Sequence, residues 1–106
     1  MPRSVRRSVV AKRERWIGHV KVRHPEISDH LDAVRQGIEA PERIFADAGN
    51  PDGVNYYRFG VLPSPYHRLY LKVCVTFDVD ADGLMGTLVT AYPTKRFGRG
   101  EVQLWP

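Results

Sequence analysis

Arginine and histidine recur at helical spacing near the start of the chain. Arg15, His19 and Arg23 lie four residues apart, so they share one face of a helix. Histidine acts as an acid or a base near neutral pH, and an arginine guanidinium binds two phosphoryl oxygens at once. This pattern suits chemistry at a phosphate group. The alternative is an exposed helical histidine whose arginine neighbours form salt bridges.

Other kinds of catalytic site have little support in the sequence. His19 and His24 are five residues apart, about 140° around a helix, so they point in different directions. The chain has no HExxH motif, no Cys/His set with ligand spacing and no phosphate-binding glycine loop. Its one cysteine, Cys74, lies in the middle of a predicted strand, which is typical of a buried, inert thiol. We therefore expect neither a metal nor a cofactor.

The remaining side chains suit one reaction class, the metal-independent cleavage of RNA. In that reaction the 2′-hydroxyl of RNA is the nucleophile, so the protein need not supply one. The protein needs a base, an acid and cations that stabilise the charged phosphorane. Histidine, arginine and lysine can fill these roles, and His19 is the best candidate for the acid or the base.

Two helices are predicted to position these residues. The first covers residues 11–23, with Trp16 and Val20 on its apolar side, and Pro25 ends it because proline disfavours helix at the residue before it. The second covers residues 25–38. Its apolar residues have the clearest helical periodicity in the chain: Ile27, Leu31, Val34 and Ile38.

Strand patterns follow the helices. The strongest is 69–79, where apolar side chains alternate with polar ones without a fault. The predicted strands are 43–46, 54–60, 69–79 and 84–92. Together these elements predict an α+β fold, with two N-terminal helices packed on one face of a four-stranded antiparallel sheet. We expect a single domain over 1–106, with 1–10 as a flexible basic lead-in.

Charge is unevenly distributed along the 106 residues, whose formal net charge is +4. Residues 1–24 hold eight basic side chains and one acidic one, whereas residues 25–82 hold five basic and ten acidic. Residues 83–106 hold three basic side chains and one acidic one. Two basic ends that met on one face would bind a polyanion; solvated basic tails are the alternative. The chain lacks an apolar run of membrane-spanning length and a secretory signal, so we expect a cytoplasmic protein.

Five short motifs occur in an order that resembles a known group of proteins. The first combines RERWIGHV (13–20) with RHPE (23–26), and the others are IEAPERI (38–44), YYR (56–58), LKVCV (71–75) and VTAYPT (89–94). Together they resemble the small phage-associated nuclease-like domains grouped with the barnase, EndoU, colicin and RelE ribonuclease superfamily. The resemblance covers about residues 12–99. It implies an α+β domain with the active site on the open face of an antiparallel sheet.

The resemblance also implies a set of site residues. His19 is then the general base or acid, with His24 as a further catalytic candidate, while Arg58 and Lys72 hold the scissile phosphate. Thr94 or Thr90 binds phosphate or orients a partner, and Tyr56 or Tyr92 stacks on a base. Further contacts to RNA are expected from Arg15, Arg23, Lys95 and Arg96.

Plainer interpretations remain open at this point. His24 can simply cap a helix junction, the tyrosines can pack in the sheet, and Lys72 and Thr90 share a face only in one hairpin register. The first functional hypothesis is a small ribonuclease, either a toxin or a phage-derived effector, whose expected partners are RNA and a cognate antitoxin or immunity protein. The second is an RNA-binding module without catalysis. The third is a domain whose acidic middle binds a basic protein.

Overall fold

In the part of the chain that the structure describes, strands form a sheet and a helix packs against it. The computed structural model describes residues 8–10, 30–80 and 83–106. Within these ranges a helix, α1 (Leu31–Glu39), lies between the first and second strands along the chain. The strands are β1 (Ser8–Val10), β2 (Arg43–Ala46), β3 (Gly53–Phe59), β4 (Tyr70–Asp80), β5 (Gly83–Thr94) and β6 (Val102–Trp105).

The six described strands form one sheet in the order β1-β5-β4-β3-β2-β6. All neighbours from β5 to β6 are antiparallel, and β1 is parallel to β5. The two longest strands, β4 and β5, form a hairpin in the middle of the sheet. The α+β prediction and the antiparallel sheet are therefore confirmed.

Helix α1 packs on one face of the sheet, over β3 and β4. It does so through its buried residues Ala33, Val34 and Gly37. Gly37 allows a close approach, because a Cβ at this position would lie 3.2 Å from Val73 Cγ2. The core beneath the helix is an apolar cluster on that face, formed mainly by Ile44, Tyr56, Leu71, Val73, Val75, Phe77, Leu88 and Ala91.

The number of strands differs from the prediction. The four predicted strands are all present, but β1 and β6 extend the described sheet to six strands. Both missed strands are short and lie at the edges, where three or four residues carry little periodicity. The predicted lead-in, 1–10, thus includes a strand at Ser8–Val10.

The helix prediction is matched in part. Helix α1 coincides with the C-terminal part of the predicted helix 25–38 and ends one residue later. The predicted first helix, 11–23, lies outside the described residues, as do positions 25–29. In the described part of the chain, no helix is long and apolar enough to cross a membrane.

A β-bulge decides which side chains of the central hairpin share a face. Lys72 pairs with Tyr92 and Cys74 pairs with Thr90, after which the register shifts so that Val75 pairs with Leu88. The shift leaves one extra residue, Val89, in β5. The side of the sheet opposite α1, which we call the distal face, therefore carries polar and aromatic side chains from three strands: Tyr57, Tyr70, Lys72, Cys74, Thr90, Tyr92 and Thr94.

A candidate functional site on the distal face

Lys72 is the charged residue at the centre of the distal face, and its charge is paired. The side chain is almost completely buried, with 8 % of the residue exposed. Its ammonium Nζ lies 2.7 Å from Oε2 of Glu101, whose side chain is also buried. The same nitrogen lies 5.6 Å from the ring centroids of both Tyr57 and Tyr92. A buried ammonium thus has a carboxylate partner and two aromatic neighbours.

Tyr57 completes the arrangement around the Glu101 carboxylate. The Tyr57 hydroxyl donates to Oε1 of Glu101 at 2.7 Å, and the amide of Gly98 donates to the same hydroxyl at 3.1 Å. Lys72 and Tyr57 are cross-strand neighbours, so β3 and β4 present both donors side by side. The Glu101 carboxylate therefore fixes the segment 95–101 onto the distal face.

Two glycines allow the segment 95–101 to pack on the distal face. A Cβ at Gly98 would collide with the Glu101 carboxylate, so the absence of a side chain there is a steric requirement. Gly100 has φ of +81°, in the left-handed region that favours glycine, and directly precedes Glu101. The Gly-Arg-Gly sequence at 98–100 is thus a turn that delivers Glu101 to Lys72.

The network keeps both donors protonated. Burial alone would lower the pKa of Lys72, but the hydrogen bond to Glu101, with the neighbouring tyrosine hydroxyls, raises it above its ordinary value. Burial raises the pKa of Tyr57, and its hydrogen bond to Glu101 adds to that increase. Throughout the physiological pH range Lys72 is therefore an ammonium and Tyr57 is a neutral phenol.

A second polar group lies along the same face, towards the β2–β3 turn. Asp47 accepts hydrogen bonds from the amides of Gly49 and Asn50 and from the side chain of Asn55. The bond from Asn55, with those from the two amides, holds the pKa of Asp47 below its usual value despite partial burial. These three hydrogen bonds hold the β2–β3 turn in place. They also occupy most of the acceptor sites of the Asp47 carboxylate.

Cys74 lies between these two groups and matches the expectation of an unreactive thiol. Burial raises the pKa of its thiol to about 11, although the Lys72 charge opposes that change. At neutral pH the thiol is protonated, whereas the nucleophilic form of cysteine is the thiolate. Its neighbour on β5, Thr90, has a buried hydroxyl without a hydrogen-bond partner among the described residues.

Aromatic rings occupy the end of the distal face where β3 ends and β4 begins. We call Phe45, Tyr57, Phe59, Tyr70 and Phe97 the aromatic cluster. The Phe59 and Tyr70 rings are 5.3 Å apart, and Tyr70 lies 5.0 Å from Phe97. Tyr57 and Phe45 are buried beneath them, but Phe59 and Phe97 are 45 % and 37 % exposed. Both exposed rings contact Tyr70, and the three rings together form an apolar surface at this edge.

Cations flank the aromatic cluster in the sequence. Lys95 and Arg96 directly precede Phe97, and Arg68 lies two residues before Tyr70; all three are exposed. Thr94 lies where β5 ends, and its hydroxyl donates to the Arg96 carbonyl at 3.0 Å and accepts from the Arg96 amide. This end of the distal face thus combines rings with exposed positive charge.

The sequence-based site residues do not all come together. Arg58 lies on the opposite side of the sheet, where its guanidinium donates to the Ala40 carbonyl at 2.6 Å, just after α1. Tyr56 is buried in the core beneath the helix. Thr90, Tyr92 and Thr94 share the distal face with Lys72, while Lys95 and Arg96 follow at its edge. The remaining candidates lie outside the described residues: Arg15, His19, Arg23 and His24.

Sequence reasoning missed Glu101 and the exposed rings. Glu101 has no signal in the sequence, because no local pattern indicates an ion pair with a residue 29 positions earlier. Phe59 did carry a signal, since alternation along 54–60 placed it on the same face as Asn55 and Tyr57. Phe97 lies outside every predicted element and had none.

Among the described residues, no group of three or more His, Cys, Asp or Glu side chains could hold a metal ion. Comparisons of this chain with protein-family models, with curated proteins and with solved structures gave no match.

Proposed function

We propose that the chain is a metal-independent endoribonuclease that binds RNA on the distal face of its sheet. The supporting observation is the register of the β4–β5 hairpin, in which the bulge at Val89 gives Thr90, Tyr92 and Lys72 a common face. Thr94 lies on the same face at the end of β5, next to the exposed Lys95 and Arg96. Hydroxyls beside cations suit a polyanionic substrate.

The proposed roles follow from this placement. His19 is the acid or base for attack by the 2′-hydroxyl, as the sequence resemblance implies. Lys95 and Arg96 contact phosphates, because they are exposed, whereas Lys72 reaches a phosphate only when Glu101 leaves it. Arg58 lies on the helix side, so within this proposal it supports the fold rather than the substrate.

The test is cleavage of a fluorescein-labelled single-stranded RNA in the presence of EDTA. Cleavage that needs the 2′-hydroxyl stops when every ribose is replaced by 2′-deoxyribose. Replacing His19 by alanine removes the acid or base and should slow cleavage by about 100-fold or more. His67→Ala is the matched control, since His67 is an exposed loop residue outside the proposed site.

Two results would count against the proposal. One is purified, folded protein that leaves varied RNAs intact over hours at micromolar concentration. The other is cleavage that persists unchanged in the His19→Ala variant, because it would assign the activity to a contaminant or to another group.

RNA binding without cleavage is the second candidate function, and the Lys72–Glu101 pair favours it. With Glu101 at 2.7 Å, the Lys72 ammonium is not free to stabilise a phosphorane. This candidate predicts binding whose affinity falls steeply with salt, with the RNA recovered whole. The same labelled RNA therefore distinguishes the two functions.

A further inference from the structure

The aromatic cluster has a surface that the fold alone does not explain. Burying Tyr57 and Phe45 stabilises the sheet, but Phe59 and Phe97 remain 45 % and 37 % exposed. Large apolar side chains exposed together, in contact with one another, mark binding surfaces more often than isolated ones do. In the described part of the chain, Phe59, Tyr70 and Phe97 form a continuous run of rings.

We propose that Phe59, Tyr70 and Phe97 are a stacking platform for the unpaired bases of single-stranded RNA. This inference rests on the proposed function and adds the site and class of base recognition. Every nucleobase has a π-face, so stacking on aromatic rings binds single strands with little sequence preference. Double-stranded RNA hides those faces within its own stack, so it should bind this surface weakly.

Charge identifies nucleic acid as the occupant. The exposed cations Arg68, Lys95 and Arg96 lie within two residues of a platform ring, and a single strand brings phosphates wherever it brings bases. Glu101 in the adjoining segment contributes no free negative charge, because Lys72 neutralises it. One carboxylate does contact a platform residue, since Oε1 of Glu42 accepts a hydrogen bond from the Phe59 amide. An acidic peptide brings negative charge without a regular succession of flat rings, whereas a single strand brings one base with every phosphate.

The order of the three rings along the surface indicates one path for a bound RNA strand. Phe59 contacts Tyr70, and Tyr70 contacts Phe97, so the rings run across β3, β4 and the segment that follows β5. Thr94 pairs with Tyr70 across the β4–β5 ladder, so the proposed phosphate contacts begin beside the middle ring. Bases stacked on the platform thus place the backbone next to Thr94, Lys95 and Arg96.

The test is fluorescence anisotropy with the full chain and a labelled 12-nucleotide oligouridylate. Every ribose of this probe is 2′-O-methylated, so a ribonuclease with the proposed mechanism cannot cleave it. Phe59→Leu keeps an apolar side chain but removes the ring, and it should weaken binding about tenfold. Phe59→Trp should retain or improve affinity. Val79→Ala is the matched control, because Val79 is 82 % exposed near the opposite end of β4.

The outcomes separate this inference from the proposed function. Equal affinity for Phe59→Leu and the unmodified chain overturns the platform, whether or not RNA is cleaved. Equal competition by a double-stranded RNA of the same length also overturns it. Cleavage that is lost in His19→Ala, together with oligouridylate binding that is weakened in Phe59→Leu but not in Val79→Ala, supports both. Thermal unfolding of each variant confirms that the loss is not a loss of fold.

Discussion

Arg58 and Lys72 lie on adjacent strands but on opposite faces of the sheet. Arg58 pairs with Leu71, and Tyr57 pairs with Lys72, so the two cations are separated by the sheet itself. A single phosphate cannot contact both side chains in this arrangement. The two residues therefore have different tasks, and they can be tested apart.

Arg58→Ala should lower stability by about 1–2 kcal/mol, because its guanidinium bonds the Ala40 carbonyl at the C-terminal end of α1. Urea denaturation measures this change. Arg35→Ala removes the same charge from an exposed position on the helix and should change stability little. Cleavage per folded molecule should be unchanged in Arg58→Ala; a large fall with stability intact would instead place Arg58 in the catalytic site.

Glu101→Ala should destabilise the chain by about 3 kcal/mol, because it leaves the buried Lys72 ammonium without its partner. The double variant Lys72→Met/Glu101→Leu removes both charges and should recover much of that loss. Chemical denaturation of the double variant and of the two single variants, Lys72→Met and Glu101→Leu, gives the coupling free energy. Additive effects of the two sites would show that the pair contributes nothing.

Gly98→Ala tests the same network without changing any charge. The new methyl group would collide with the Glu101 carboxylate, so we expect a loss of about 1–3 kcal/mol. Gly49→Ala is the control, because a Cβ there would meet only Asp47 Oδ2, at an ordinary contact distance of 3.9 Å. Similar thermal midpoints for the two variants would contradict the described path of the segment 95–101.

Cys74 should react slowly with iodoacetamide in the folded protein. With a pKa of about 11, its thiolate fraction at pH 8 is about 100-fold below that of a free cysteine. The alkylation rate should rise about tenfold per pH unit up to that value, and it should become ordinary in denaturant. A fast, pH-independent reaction of the native protein would be inconsistent with a buried, protonated thiol.

Acid should weaken the β2–β3 turn through Asp47. Its pKa is lowered by folding, so its contribution is present above the unfolded value of about 3.9 and is lost as pH falls through the folded value. Asp47→Asn should therefore be less stable than the unmodified chain at pH 7, and the difference should shrink towards pH 2. Denaturation curves at both pH values measure it, with the exposed Asp78→Asn as control.

Alternation made the central sheet predictable, because successive residues of β3 and β4 point to opposite faces of the sheet. The edge strands were not predictable, since Val102–Trp105 is too short and too exposed to show a pattern. The resemblance predicts Lys72 as a site residue, but its partner Glu101 depends on the path of the Gly98–Gly100 turn. Placing Arg58 needed one more fact, namely which face α1 covers.

The position of Glu101 also sets an order of assembly. Its two donors, on β3 and β4, become neighbours only after those strands have paired, and Glu101 lies 29 residues beyond Lys72. We therefore expect the segment 95–101 to dock after the central strands have formed and to open without disturbing them. In native-state hydrogen exchange, the amides of Gly98 and Glu101 should exchange together, ahead of those in β4.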